Sequence, residues 1–227
     1  MPTLRVRDLE MQYFERGEGP AVAILHPATV GGMEMGWLAQ ALVRQGFSVI
    51  VPDQRGHGQT ANPAADLHLA RLVDDFLEFS VLIGKGPLHV VGYSMGGAVA
   101  LYSALKQPER FRSLTLIATG YRTPPRERIN RVIGPPDTQT PIVKAVFDPE
   151  SGIGVGWEAP LDRFAAITCP TLIICPDHDE FNDAEEGMAL FKTMPHADLL
   201  GLPNCTHAGV VRHPLLMAAV EDFYGRL

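Results

Sequence analysis

The sequence predicts an α/β fold: a mainly parallel, eight-stranded sheet with helices on both faces and one small lid insertion, carried by residues 1–227 as a single domain. Two observations predict it. Short apolar, often β-branched runs alternate with stretches whose apolar residues recur at helical spacing, a pattern that gives parallel strands joined by right-handed crossovers. The run Leu88-His89-Val90-Val91 also passes through Gly92-Tyr93-Ser94-Met95-Gly96-Gly97 into a helix-like stretch from Ala98 to Lys106, a sharp corner with Ser94 at its apex.

Taken in order, Leu4 to Arg7 and Met11 to Glu15 read as an antiparallel pair of edge strands, divided by Asp8-Leu9-Glu10 and ended by Gly17-Glu18-Gly19-Pro20. Ala21 to Leu25 is a buried central strand that runs into the turn-rich His26-Pro27-Ala28-Thr29-Val30-Gly31-Gly32. A helix follows from Met33 to Arg44, with Trp37, Leu38, Ala41 and Leu42 on one face and Gly46 as its stop. Phe47 to Val51 is the next strand. Asp66 is read as the cap of a long helix to about Ile83, ended by Gly84. Beyond the Ser94 corner, Ser113 to Ala118 is a strand. The Pro- and Gly-rich segment from about Tyr121 to Pro160 is an irregular excursion with one or two short helices. Alternation resumes with Thr171 to Cys175, Asp183 to Lys192, Ala197 to Leu202 and His213 to Tyr224.

Composition removes several classes of function. A formal charge of −7 gives no basic footprint for nucleic acid. No apolar run approaches the length of a membrane span, and the residues after Met1 show no apolar h-region, so a cytoplasmic chain is expected. Cys169, Cys175 and Cys205 lack metal-ligand spacing and read as reduced structural thiols, Cys205 as a spectator beside a candidate base.

The glycines around Ser94 suit chemistry. Gly92 and Gly96 let backbone pass close to a strained corner, and the helix start supplies free N–H groups to an oxyanion forming beside Ser94. A serine hydroxyl needs a histidine base, and that histidine needs a carboxylate to fix its tautomer. In a parallel sheet all three arise beyond strand carboxyl ends. This filter selects Asp179 as the acid, after Thr171–Cys175, with Asp177 as second choice, because the strand ending Ala118-Thr119-Gly120 carries none. It selects His207 as the base, in the loop after the last strand. His213 belongs to the start of the final helix, His196 lies at the wrong edge, and His68, His89 and His178 are surface or local structural residues. A metal site at Asp177-His178-Asp179-Glu180 is disfavoured, because adjacent loop residues rarely converge on one ion. No metal and no cofactor is expected.

With the chain order Ser94, Asp179, His207, the sequence resembles the α/β-hydrolase fold family over nearly its whole length. Asp53-Gln54-Arg55-Gly56-His57-Gly58-Gln59-Thr60 is similar to that family's D-x-R-G-x-G-x-S loop, which implies an architectural role for Asp53, Arg55 and His57, with His57 only a minor alternative as base. The resemblance further implies that the oxyanion donors are the amides of Ala28 and Met95, although Pro27 stands where glycine is usual. It also implies that 121–160 is a reduced cap.

The expectation that follows is a serine hydrolase cleaving a small-molecule carboxylic ester or lactone through an acyl-enzyme. Carbon–carbon hydrolysis, acyl transfer, cyanohydrin cleavage, cofactor-free peroxidation and a non-catalytic ligand-binding role remain open alternatives. Arg122, Arg126, Arg128 and Arg131, set against a single Glu127, either bind a substrate carboxylate or form a solvated helical face, the plainer reading. Phe147, Ile153, Val155 and Trp157 either wall an acyl pocket or pin the excursion down. The sequence gives no oligomeric state.

Overall fold

The computed structural model describes residues 1–155 and 157–227; Gly156, within the excursion, lies outside them. Its eight strands are β1 (Thr3–Val6), β2 (Leu9–Arg16), β3 (Ala21–Leu25), β4 (Ser48–Pro52), β5 (Leu88–Tyr93), β6 (Phe111–Ile117), β7 (Thr171–His178) and β8 (Ala197–Thr206). They form one sheet in the order β1-β2-β4-β3-β5-β6-β7-β8. β1 and β2 pair antiparallel, as do β2 and β4, and every other pairing is parallel.

Every residue of β3, β4 and β5 is buried, which is why these strands read as continuous apolar runs. Alternate residues serve opposite layers. Ala21, Ala23 and Leu25 belong to the core layer that also takes in α2 (Leu69–Leu82), α3 (Met95–Lys106) and α6 (Ala184–Thr193), whereas Val22 and Ile24 belong to the layer with α1 (Gly36–Arg44) and α7 (Pro214–Gly225). From β3 the chain crosses to β4 on one side and then to β5 on the other. The carboxyl ends of β3 and β5 therefore flank a switch in strand order, the usual place for a ligand in an open α/β sheet.

Three readings of local structure need correction. α2 begins at Leu69 with His68 at its N-cap, and Asp66 does not cap it; the Asp66 carboxylate accepts from Arg71 Nε at 2.7 Å. The turn between β1 and β2 is only Arg7-Asp8, with Arg7 at φ +52°, so Leu9 and Glu10 already belong to β2. β7 and β8 also run past Cys175 and Leu202 to His178 and Thr206. Between β6 and β7 lie two short helices, α4 (Arg126–Ile133) and α5 (Pro141–Val146), and a bridge between Arg122 and Glu158 brings the ends of that segment together.

Candidate active site

Ser94 sits between β5 and α3 at φ +54°, the left-handed region that side chains with a Cβ rarely adopt. Its N–H donates to the Ile117 carbonyl at 2.9 Å, and its carbonyl accepts from Ala98 at 3.0 Å, which locks the corner on both sides. The glycine at 96 is required by close approach: a Cβ there would lie 2.1 Å from the Leu25 carbonyl oxygen. Glycine thus lets α3 seat directly on the end of β3.

The other two residues are juxtaposed by register. His178 of β7 pairs with Thr206 of β8, so the residues that follow each strand, Asp179 and His207, emerge side by side. His207 Nδ1 donates to the Asp179 carboxylate, with oxygens at 2.8 and 2.9 Å, and Ser94 Oγ lies 2.8 Å from His207 Nε2, where the hydroxyl donates to the ring. The Asp179 side chain is 2% exposed and that of His207 12%, so this line of hydrogen bonds is largely shielded from water. Asp179 Oδ1 also accepts from the backbone N–H groups of Phe181 and Asn182 at 2.8 and 2.9 Å.

Two residues to which the sequence assigned no part in the site hold the histidine. Glu180 accepts from the His207 backbone N–H at 2.8 Å, and the Tyr93 hydroxyl donates to the His207 carbonyl at 2.8 Å. Burial pushes the Tyr93 phenol above its ordinary range, so it stays a donor. The ring of Phe181 lies 4.8 Å from the imidazole centroid, edge to face. Tyr93 and Glu180 each adjoin a residue that the sequence did select, which is the one signal that could have found them.

Asp177, the second choice as acid, is committed elsewhere. Its carboxylate accepts from the amides of Cys205 and Asn204, both at 2.9 Å, and these bonds hold its pKa below the ordinary carboxylate value. The acids at 177, 179 and 180 therefore serve different donors and do not converge. No group of three His, Cys, Asp or Glu suited to a metal occurs among the described residues. The Cys205 thiol is buried and its pKa is raised, chiefly by desolvation, and Cys175 is pushed up to about 12 for the same reason. Neither is a ready nucleophile.

Ser94 and His207 open onto a cavity of about 920 Å³ whose wall is mainly apolar, with Trp37, Ile129, Val143, Phe147 and Trp157 among its lining. Ala28 and Met95 line the same cavity. Met95 is the first residue of α3, where amides have no intrahelical acceptor. Ahead of Ala28, His26 Nδ1 donates to the Pro27 carbonyl at 2.8 Å, and Thr29 follows at φ +69°. Ile153 and Trp157 are at once cavity wall and buried core, while Val155 is not part of the wall.

The loop after β4 is a support. Asp53 accepts from Gly32 and Gln59 amides at 2.6 and 2.8 Å, and the fully buried Arg55 pairs with Asp75, at 2.6 Å from Nε, and with Asp8. The buried His57 donates from Nδ1 to the Arg55 carbonyl at 2.9 Å. His26 accepts at Nε2 from the Gln54 amide at 2.9 Å, which ties this loop to the one before Ala28. His213 accepts from Leu215 N as the cap of α7, and the buried His89 bonds Ser113 Oγ at 2.8 Å.

The arginines follow neither reading in full. Arg122 pairs with the buried Glu186 at 3.0 Å and Arg128 with Asp183 at 2.6 Å, both partners in or next to α6. Arg126 lines the cavity, but its guanidinium donates to the Phe147 carbonyl, and Arg131 is exposed. Two of the four thus fasten the segment after β6 to the domain.

The alpha/beta hydrolase fold family model matches residues 24–148, more than half of the chain, and the protein belongs to that family. Among curated relatives, a pimeloyl-[acyl-carrier protein] methyl ester esterase of Chromobacterium violaceum is 36% identical over 106 residues, 47% of this chain and 39% of the relative. The chain spans less than half of the length of these curated relatives, 36% for a protein of Mycobacterium tuberculosis and 41% for a hydrolase of Acinetobacter baylyi. Two solved structures share the fold. A hydrolase from Pseudomonas aeruginosa has a TM-score of 0.81 at 24% identity, covering 99% of this chain and 98% of its own. The enol-lactonase of Burkholderia xenovorans has a TM-score of 0.81 at 19% identity, covering 99% and 100%. No helix among the described residues is long and apolar enough to cross a membrane.

Proposed function

We propose that this chain is a serine hydrolase that cleaves a carboxylic ester or lactone. The observation that supports it most is the unbroken hydrogen-bond line from Asp179 through His207 to Ser94 at the floor of an apolar cavity. With Nδ1 donating to Asp179, the Nε2 lone pair faces the serine hydroxyl, the tautomer that a general base requires.

As Ser94 Oγ attacks the carbonyl carbon, His207 takes its proton and Asp179 stabilises the imidazolium. The amides of Ala28 and Met95 receive the developing oxyanion. Collapse of the tetrahedral intermediate expels the alcohol, protonated by His207, and leaves an acyl-enzyme. Water then enters, gives its proton to His207 and releases the acid, so that Ser94 is restored. In a lactone the alcohol stays tethered and a single hydroxy acid leaves.

The segment 121–160 acts in this reading as a reduced lid. Its wall is mainly apolar, Arg122 and Arg128 are already paired, and Arg126 is the one of the four arginines on the wall, which favours a largely apolar group beneath it. A relative named as a methyl ester esterase agrees with ester chemistry. A panel of neutral esters, lactones and diketones tests the reading: turnover of esters or lactones that vanishes in Ser94→Ala supports it, and inertness to every ester and lactone with turnover of a diketone overturns it.

A further inference from the structure

The residue two places after the acid ties the lid to the base. Phe181 gives its backbone N–H to Asp179 at 2.8 Å, and its ring stands edge to face on His207 at 4.8 Å. The same ring also stacks on Phe147 of the lid, with centroids 5.9 Å apart and planes within 6°. Two arginines of α4 close the arrangement: Arg126 donates to the Phe147 carbonyl, and Arg128 donates to the Phe181 carbonyl at 3.4 Å while pairing with Asp183. Lid helix, lid aromatic, acid loop and imidazole are therefore one contiguous set of contacts.

From this we infer that Phe181 is a positioning residue, which holds the His207 ring in line with Ser94 and makes that alignment depend on the seating of the lid through Phe147. The inference rests on the hydrolase reading above. The hydrogen bond to Asp179 fixes Nδ1 but leaves the ring free to rock about that bond. The Phe181 ring packed against it at 4.8 Å, with the Tyr93 ring at 5.8 Å, restricts that freedom, and the Phe147 stack in turn fixes Phe181.

The test compares Phe181→Ala, Phe181→Tyr and Phe147→Ala with the wild type on 4-nitrophenyl acetate, a substrate too small to need the lid wall, with thermal unfolding as a check on folding. Two aromatic contacts meet on Phe181, so Phe181→Ala is expected to lower kcat by about tenfold or more with KM changed less than about threefold. Phe181→Tyr keeps both contacts and is expected to restore kcat to within about threefold. Phe147→Ala, which leaves the His207 contact in place, is expected to fall between them and does not touch the imidazole directly. A ring that merely lines the cavity predicts the opposite split, raised KM with kcat unchanged in Phe181→Ala, and that result overturns the inference. So does an unchanged kcat in Phe147→Ala. If the wild type turns over no ester and resists a small fluorophosphonate, the hydrolase reading fails and this inference with it; a reactive wild type with an equally reactive Phe181→Ala overturns the inference alone.

Discussion

Replacing Asp179 with Asn isolates the electrostatic part of the proposed mechanism, and the structure dictates how the new amide would orient. Asp179 Oδ1 accepts from the Phe181 and Asn182 amides at 2.8 and 2.9 Å. An asparagine would keep its carbonyl oxygen at that position, because an NH2 group there would face two donors. Its NH2 then takes the Oδ2 place, 2.8 Å from His207 Nδ1, where it opposes the ring N–H even though the carbonyl oxygen stays 2.9 Å away. That opposition favours the tautomer with the proton on Nε2, in which the ring presents a donor to Ser94 where a lone pair is needed. Loss of the base costs roughly 10³- to 10⁴-fold in kcat, about 4 to 5.5 kcal/mol of transition-state stabilisation, while the loop hydrogen bonds survive. Steady-state hydrolysis of a 4-nitrophenyl ester, with urea unfolding alongside, reads both quantities. Asp177→Asn is the control: its carboxylate only ties β8 down, and activity should stay within about fivefold. Retention of more than a tenth of wild-type kcat in Asp179→Asn, or a crippled Asp177→Asn, would refute the assignment of the acid.

Other perturbations probe the scaffold. Gly96→Ala sets a Cβ 2.1 Å from the Leu25 carbonyl oxygen and 2.8 Å from that of His26, both backbone atoms, so urea unfolding should show a loss of about 3 kcal/mol or more. Arg55→Met removes the nearer of two cationic partners of Asp75, a side chain only 2% exposed, and leaves Arg7 Nε at 3.4 Å, so the same assay should show a loss of up to about 3 to 5 kcal/mol at neutral pH. Burial depresses His26 to about 3 and His89 to about 4, so both stay neutral in the folded protein through mild acid. As pH falls below about 6.5 the unfolded chain binds protons that the folded chain refuses; at pH 5 each histidine costs about 2 kcal/mol, and the urea midpoint should drop between pH 7.5 and pH 5. A midpoint that is flat over that interval would contradict the burial of these two rings as neutral species.

The sheet was legible because its central strands are buried on both faces and its helices on one, so that period and continuity separate them in the sequence. Ser94, Asp179 and His207 were legible for a related reason: each follows a strand at the same rim. Strand ends were harder. Pro176-Asp177 and Pro203-Asn204 look like turns, yet β7 and β8 continue through them. β6 has already ended opposite Ile174, so Pro176 lies beyond that ladder, and β8 is an edge strand that tolerates proline. Asp66 resembled a cap because Asp commonly is one, but Arg71, five residues on, claims its carboxylate. The partners of Arg122 and Arg128 lie more than fifty residues away, so no local pattern reveals that these charges are neutralised. Phe181 was invisible for the same reason: its significance comes from two rings that only the folded chain brings to it.

The central claim is that His207 makes the Ser94 hydroxyl nucleophilic. Intact-mass analysis after treatment with a fluorophosphonate tests it most directly, because the reagent reports activation of the serine without any assumption about the substrate. The account predicts one adduct, mapped to Ser94, absent in Ser94→Ala and formed at least about a hundredfold more slowly in a folded His207→Gln. A folded wild-type chain that stays unlabelled, or a His207→Gln variant labelled as fast as the wild type, would contradict it.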